Sequence, residues 1–221
     1  MIDELELTMT RPGLHRPIVV LAVAIAAGAA LGIGTQVLQG WLPGAWGVVA
    51  NSGVAWAVAA FGLGMLVATD RLAAPAGAVA LVVAAVSYYR AVEWFEHSSS
   101  GPKGAILWSV AGVVAGPVFA VAGRWGRMVP ARRAFAWALV AGTLVGEGVH
   151  LLWFVGRGGL WPAGLVELVL GGVLVVRSMR GSPPPSMDRG RAAAYVIAIA
   201  GGAVLATLLA GRLIDHGFAM L

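Results

Sequence analysis

The sequence predicts an all-α integral membrane protein of seven transmembrane helices, with the N-terminus inside and the C-terminus outside. Three observations carry that reading. Of 221 residues, 59% are hydrophobic and 11% charged, whereas a soluble domain carries about 25% charged residues; mean hydropathy is +0.86. Seven apolar runs reach or approach the ~20 residues that span a bilayer. The basic residues fall unevenly on the links between those runs.

The first run, residues 17–42, opens at Pro17 and closes at Trp41. The second, 46–69, ends at the polar link that begins with Asp70 and Arg71. The third, 74–95, starts beside Pro75, and the fourth, 104–123, follows the link "HSSSGPKG". The fifth, 131–155, follows Pro130; the sixth, 161–176, opens with Trp161-Pro162. Proline suits a first helical turn, where its missing N–H would have no partner anyway. Gly116-Pro117 lies inside the fourth run, where proline removes a backbone bond and predicts a kink. The sixth run is the shortest, about 24 Å by helical rise, and calls for local thinning or help from its flanks. The seventh, 192–214, follows "RGSPPPSMDRGR", the one link with a true linker's composition. The chain thus divides into a cytoplasmic segment (1–16), the bundle (17–214) and a short outer tail (215–221). The opening "MIDELELTMTRPGLHRP" is acidic rather than a basic leader, and no A-x-A site follows, so the first helix is expected to stay as an anchor.

With the N-terminus inside, Arg11, Arg16, Arg71, Arg124, Arg127, Arg132, Arg133, Arg177, Arg180, Arg189 and Arg191 are cytoplasmic. Arg90, Lys103, Arg157 and Arg212 are outside. This is the positive-inside pattern. Trp41, Trp46, Trp94, Trp108, Trp153 and Trp161 gather at the outer ends, as an interfacial aromatic belt does. One lysine against fourteen arginines, amid abundant Ala, Gly and Val, points to a GC-rich genome and a bacterial cytoplasmic membrane.

Composition also excludes. There is no cysteine, hence no disulfide, thiolate metal site or cysteine nucleophile. The net charge of +5 is accounted for by topology, so nucleic acid is not an expected partner; membrane lipid is. No HExxH, nucleophile elbow, phosphate-binding loop or intraspan lysine occurs, and neither metal nor cofactor is expected.

Gly28-x-x-x-Gly32-x-Gly34-x-Gln36 in the first helix resembles Gly142-x-x-x-Gly146-x-Gly148-x-His150 in the fifth. Each precedes a Trp-Pro-containing turn, and both helices run in the same direction. The pattern raises a 3+1+3 parallel repeat, an arrangement used by secondary transporters, beside simple coincidence in a chain with 32 glycines.

The polar residues within the spans are one-sided. Asn51, Tyr88, Tyr89, Glu93, Glu147, His150, Glu167, Asp215 and His216 all fall between mid-membrane and the outer surface. Glu147 lies deepest, about 12 Å below the outer end of its helix at 1.5 Å per residue, beyond a glutamate's reach to water. An acid near a helix centre costs about 2.5–3.5 kcal/mol on insertion scales. Glu147 and His150 are three apart and share a face. The plain reading is a helix-tying polar pair, with interhelical hydrogen bonds averaging ~0.6 kcal/mol. The functional reading is an outward-facing cavity with Asn51, Tyr89, Glu93, Glu147, His150, Glu167 and Asp215 as ligand-binding or proton-coupling candidates.

At "ANSGVAWAVAAFGLG", "SYYRAVEWFEH", "VAGPVFAVAG" and "GEGVHLLW" the chain resembles a family of small multi-pass membrane proteins of high-GC bacteria, classed as a domain of unknown function. The resemblance covers residues 20–180, with Asn51, Trp56, Tyr89, Glu93, Gly116-Pro117 and Glu147 matching its pattern. It implies a helical membrane fold and lends no chemistry. Three functional expectations stand. The cavity binds or transports a small cationic or polar solute. Alternatively, a small membrane enzyme uses a buried carboxylic acid on a lipid-soluble substrate, in the manner of membrane terpene cyclases. The third is a structural or accessory membrane protein.

Overall fold

The computed structural model describes residues 13–97, 101–153, 159–180 and 189–219. Its elements are all helices: α1 (Pro17–Trp41), α2 (Ala45–Ala50), α3 (Gly53–Leu66), α4 (Asp70–Glu96), α5 (Gly101–Met128), α6 (Pro130–Trp153), α7 (Trp161–Arg180) and α8 (Arg189–Ala219). Among the described residues, six stretches are long and apolar enough to cross a membrane, including Ala45–Leu66, which joins α2 to α3. In α8 the apolar part is shorter, Ala193–Ala206. The expected sixth run is longer than its apolar core: α7 continues through Arg177 to Arg180, 20 residues in all, or about 30 Å. Arginine stems can lie along apolar surface while the charge reaches water, so a basic residue need not end the helix.

Apolar residues surround these helices on all sides, so packing is set by small residues rather than by amphipathic stripes. A Cβ on Gly28 or Gly32 of α1 would collide with the α4 backbone at Ala80 or Ala84. Gly77 of α4 and Gly116 of α5 meet backbone to backbone, and Gly64 of α3 lies against Ala120 of α5. Across the bundle, Gly142 of α6 lies against Ala200 of α8, and Gly148 against Gly164 of α7. The helices therefore form two groups, α1–α5 and α6–α8, joined where α6 packs on α5 and α3. Pro117 lies inside α5, next to the Gly116 crossing.

The arginine-rich end is tied by side chains. Arg124 donates to Asp70 Oδ1 (2.7 Å) and to the Ala68 carbonyl (2.8 Å). The Trp125 indole donates to the other Asp70 oxygen (3.1 Å). Leu14 adds two backbone bonds across the α3–α4 turn, donating to Leu66 and accepting from Ala68.

The second span is broken. Its sequence is apolar except for Asn51 and Ser52, and there the helix stops at Asn51 and restarts at Gly53. Ser52 caps the new start, its hydroxyl accepting from the Ala55 amide (3.0 Å). A serine at this position satisfies one of the four amides that open every helix.

Candidate functional site

The break matters because of what fills it. From α6, the Glu147 carboxylate accepts the Val54 amide (2.9 Å). Two side chains, one local and one 93 residues away, hold the N-terminus of α3. A carboxylate here also meets the positive end of the helix dipole. Glu147 is half-buried and has the polar partner that a lipid-facing acid would lack.

On the other side of Ser52 and Gly53 lies a cavity of about 400 Å³, at the end of the bundle where α1 and α4 finish. Asn51, Ser52 and Gly53 form one wall, and Trp56 stands one turn into α3. Tyr88, Tyr89, Val92 and Glu96 come from α4, Gln39 from α1 and Trp108 from α5. The volume is that of a small-molecule site.

Its walls are organised by rings and by hydrogen bonds. Trp56 packs edge-on against Tyr88 at 6.1 Å between centroids, and lies tilted against Trp108 at the same separation. Tyr88 and Tyr89 are perpendicular at 5.2 Å. Tyr89 lies directly over Gly104 of α5, with no room for a Cβ there. Asn51 donates to the Tyr88 hydroxyl (3.1 Å), which donates to Gln39 Oε1 (2.9 Å). Buried Gln36 donates to Glu96 (2.6 Å) and orients that carboxylate at the rim. No lining residue is basic. Trp56 is 7% exposed, and its indole Nε1 has no partner among the described residues.

Among the sequence candidates, Asn51 and Tyr89 line the cavity. Glu147 stands behind its wall, bonded to α3. Glu167 of α7 is 3% exposed, with Oε2 lacking a partner among the described residues. It is within electrostatic reach of Glu147 but does not line the cavity. His150, half-buried one turn from Glu147, is likewise outside the lining. Glu93 points elsewhere: it pairs with exposed Arg90 (2.8 Å) and lines a separate, larger groove between α4 and α5. The side chains of Asp215 and His216 lie outside the described residues.

Sequence reasoning missed several contributors, among them Gln36, Gln39, Ser52, Glu96 and Trp108. Trp108 had an easy alternative in the interfacial belt. Trp41, Trp94 and Trp153 are indeed 72–80% exposed, whereas Trp108 turns inward onto Trp56. A signal for Glu96 was available: Ala76, Ala80 and Ala84 recur every four residues along α4 and are buried. Continuing that spacing reaches Tyr88, Val92 and Glu96, while Glu93 falls on the neighbouring stripe.

Residues 11–213 match a family described as a family of unknown function, DUF6518. The chain belongs to that family. No curated protein matches it, and no solved structure does. Membership thus extends over nearly all of the bundle and brings no chemistry with it.

Proposed function

We propose that this member of DUF6518 binds a small organic cation in the aromatic cavity, at the outer face of a bacterial cytoplasmic membrane. The observation that carries the reading is the convergence of four rings and one carboxylate, with no basic side chain among the described lining residues. Aromatic faces attract an ammonium group by ~0.5–2 kcal/mol each, most strongly when desolvated. Glu96 supplies the counter-charge. The unpartnered Trp56 Nε1 would be completed by an oxygen acceptor on the ligand, which favours an ammonium compound that also carries a hydroxyl or carboxyl. The positive-inside bias supports a seven-span, N-in arrangement, in which the arginine-bearing end faces inside and the cavity opens outside.

The test is a titration of the purified protein followed by tryptophan fluorescence, since Trp56 and Trp108 report directly from the cavity. Choline and tetramethylammonium are compared with an uncharged isostere, 3,3-dimethylbutan-1-ol. The cations should bind at least about tenfold more tightly, given ~1.5–3 kcal/mol for interactions with a charged group. Glu96→Gln, which retains an acceptor for Gln36, should remove most of that preference. Equal affinity for the neutral isostere, or no response to Glu96→Gln and Trp108→Ala, would refute the reading.

Transport is a second reading, favoured by the broken second span. Secondary transporters place discontinuous helices at their substrate sites and use repeats related by an axis along the membrane normal. Here Gly28 abuts Ala80 in the first and third spans, and Gly142 abuts Ala200 in the fifth and seventh. That correspondence supports a 3+1+3 repeat. Glu147 could then exchange a proton as the cation moves past the wall it braces. Uptake of labelled choline by proteoliposomes, with and without a pH gradient, separates transport from binding alone.

A further inference from the structure

At the opposite end of the bundle a second concavity of about 400 Å³ lies between α5, α6 and α8. Its walls are apolar, contributed by Pro117, Val121, Phe135, Leu139 and Ile199, and Trp125 also lines it. The Arg132 guanidinium stacks over that indole, 4.5 Å from the ring centroid. Phe135 in turn packs edge-on against Tyr195 of α8. The groove therefore combines a hydrocarbon wall with a cation at its end.

Among the described residues the charge around that end is unbalanced. Asp70 is already engaged by Arg124 and Trp125. Arg127 donates to the Met65 carbonyl and Arg133 to the carbonyls of Gly126 and Arg127. These bonds hold the two guanidinium groups in place and leave their charge uncompensated. Arg127, Arg132 and Arg133 have no acidic partner among the described residues, and all three are exposed. From this geometry we infer a specific site for an anionic phospholipid, with an acyl chain along the α5–α6–α8 groove and its phosphate beside Arg132. Basic pockets between transmembrane helices bind such headgroups, and a guanidinium fork suits phosphate oxygens. A zwitterionic lipid fills the same groove but brings a cationic group towards three arginines.

Native mass spectrometry of the full chain, released from mild detergent, tests the assignment. The protein is equilibrated with equal amounts of phosphatidylglycerol and phosphatidylcholine carrying identical chains. One phosphatidylglycerol should be retained in preference. Arg132→Gln should weaken its retention about fivefold, the equivalent of the ~1 kcal/mol that one basic residue contributes near an anionic surface. Val118→Trp, at a half-exposed position lining the groove, should block the chain's seat and abolish retention. Equal retention of both lipids overturns the assignment, as does phosphatidylglycerol retention unchanged by Arg132→Gln. A dimer that Val118→Trp dissociates would make a second copy of the chain the occupant and overturn it too. Arg132→Gln alone decides the matter if the tryptophan variant fails to fold.

Discussion

Replacing Glu147 by alanine should destabilise the protein far more than replacing it by glutamine. The carboxylate accepts the Val54 amide at 2.9 Å in a part-buried setting. Alanine leaves that amide with no acceptor, at a cost of about 1–3 kcal/mol. It also removes a negative charge from the start of α3, for a further ~0.3–1 kcal/mol if the acid is ionised. The expected loss is therefore about 1–4 kcal/mol. Glutamine restores an acceptor oxygen of the same reach and should cost under about 1 kcal/mol. Ser52→Ala removes the neighbouring cap from the Ala55 amide, at about 0.5–2 kcal/mol. Because Glu147 and Ser52 accept from neighbouring amides at one helix start, Val54 and Ala55, the double variant should not lose the sum of the two, and the coupling should exceed ~0.5 kcal/mol. The assay is reversible unfolding in mixed micelles by increasing SDS, with the parent and its four variants compared at one detergent ratio. Equal losses for alanine and glutamine would refute the capping argument, as would full additivity with Ser52→Ala.

Two further outcomes follow from the packing and the topology. Gly77→Ala drives a Cβ into the Gly116 carbonyl at the α4–α5 crossing and should cost about 1–3 kcal/mol, the range for overpacked interiors. Gly62→Ala, with open space at the same test, should be neutral or stabilising by up to ~1 kcal/mol through helix propensity; similar unfolding midpoints for the two would count against the helix contacts described. In this cysteine-free chain, Pro102→Cys beside Lys103 should react with an impermeant maleimide on intact cells, and Ala131→Cys beside Arg133 only after permeabilisation. Reversed or equal labelling would invert or dismantle the N-in topology.

What could be read from the sequence depended on which physical signal was strong. Hydropathy located the spans because lipid imposes a length requirement on any helix. The first helix shows the quality of that signal, 17–42 against Pro17–Trp41. Helix rotation was harder to read, since helices apolar all round do not reveal a buried face by amphipathicity. Glu93 and Glu96 illustrate the result: three residues apart, one pairs with Arg90 and the other joins the cavity. The break at Asn51-Ser52 was hidden for a different reason. Asn-Ser-Gly is a capping sequence by type, but the apolar run on either side masked it. Glu147 was legible by depth alone, while its partner, the Val54 amide, carries no side-chain mark. A backbone donor can be found only once the break in the helix is seen.

That break also orders events during biogenesis. Ribosomes release α2 and α3 long before α6, and Glu147 follows Val54 by 93 residues. In the bilayer every amide needs an acceptor, and until the carboxylate arrives the cheapest acceptor for Val54 is the carbonyl four residues back. A nascent second span therefore does best as one unbroken helix. The kinked form, and with it the wall of the cavity, becomes the better state only after the fifth span has inserted and docked. This wall of the cavity is thus a late product of assembly, one that a nascent chain acquires only once α6 is present.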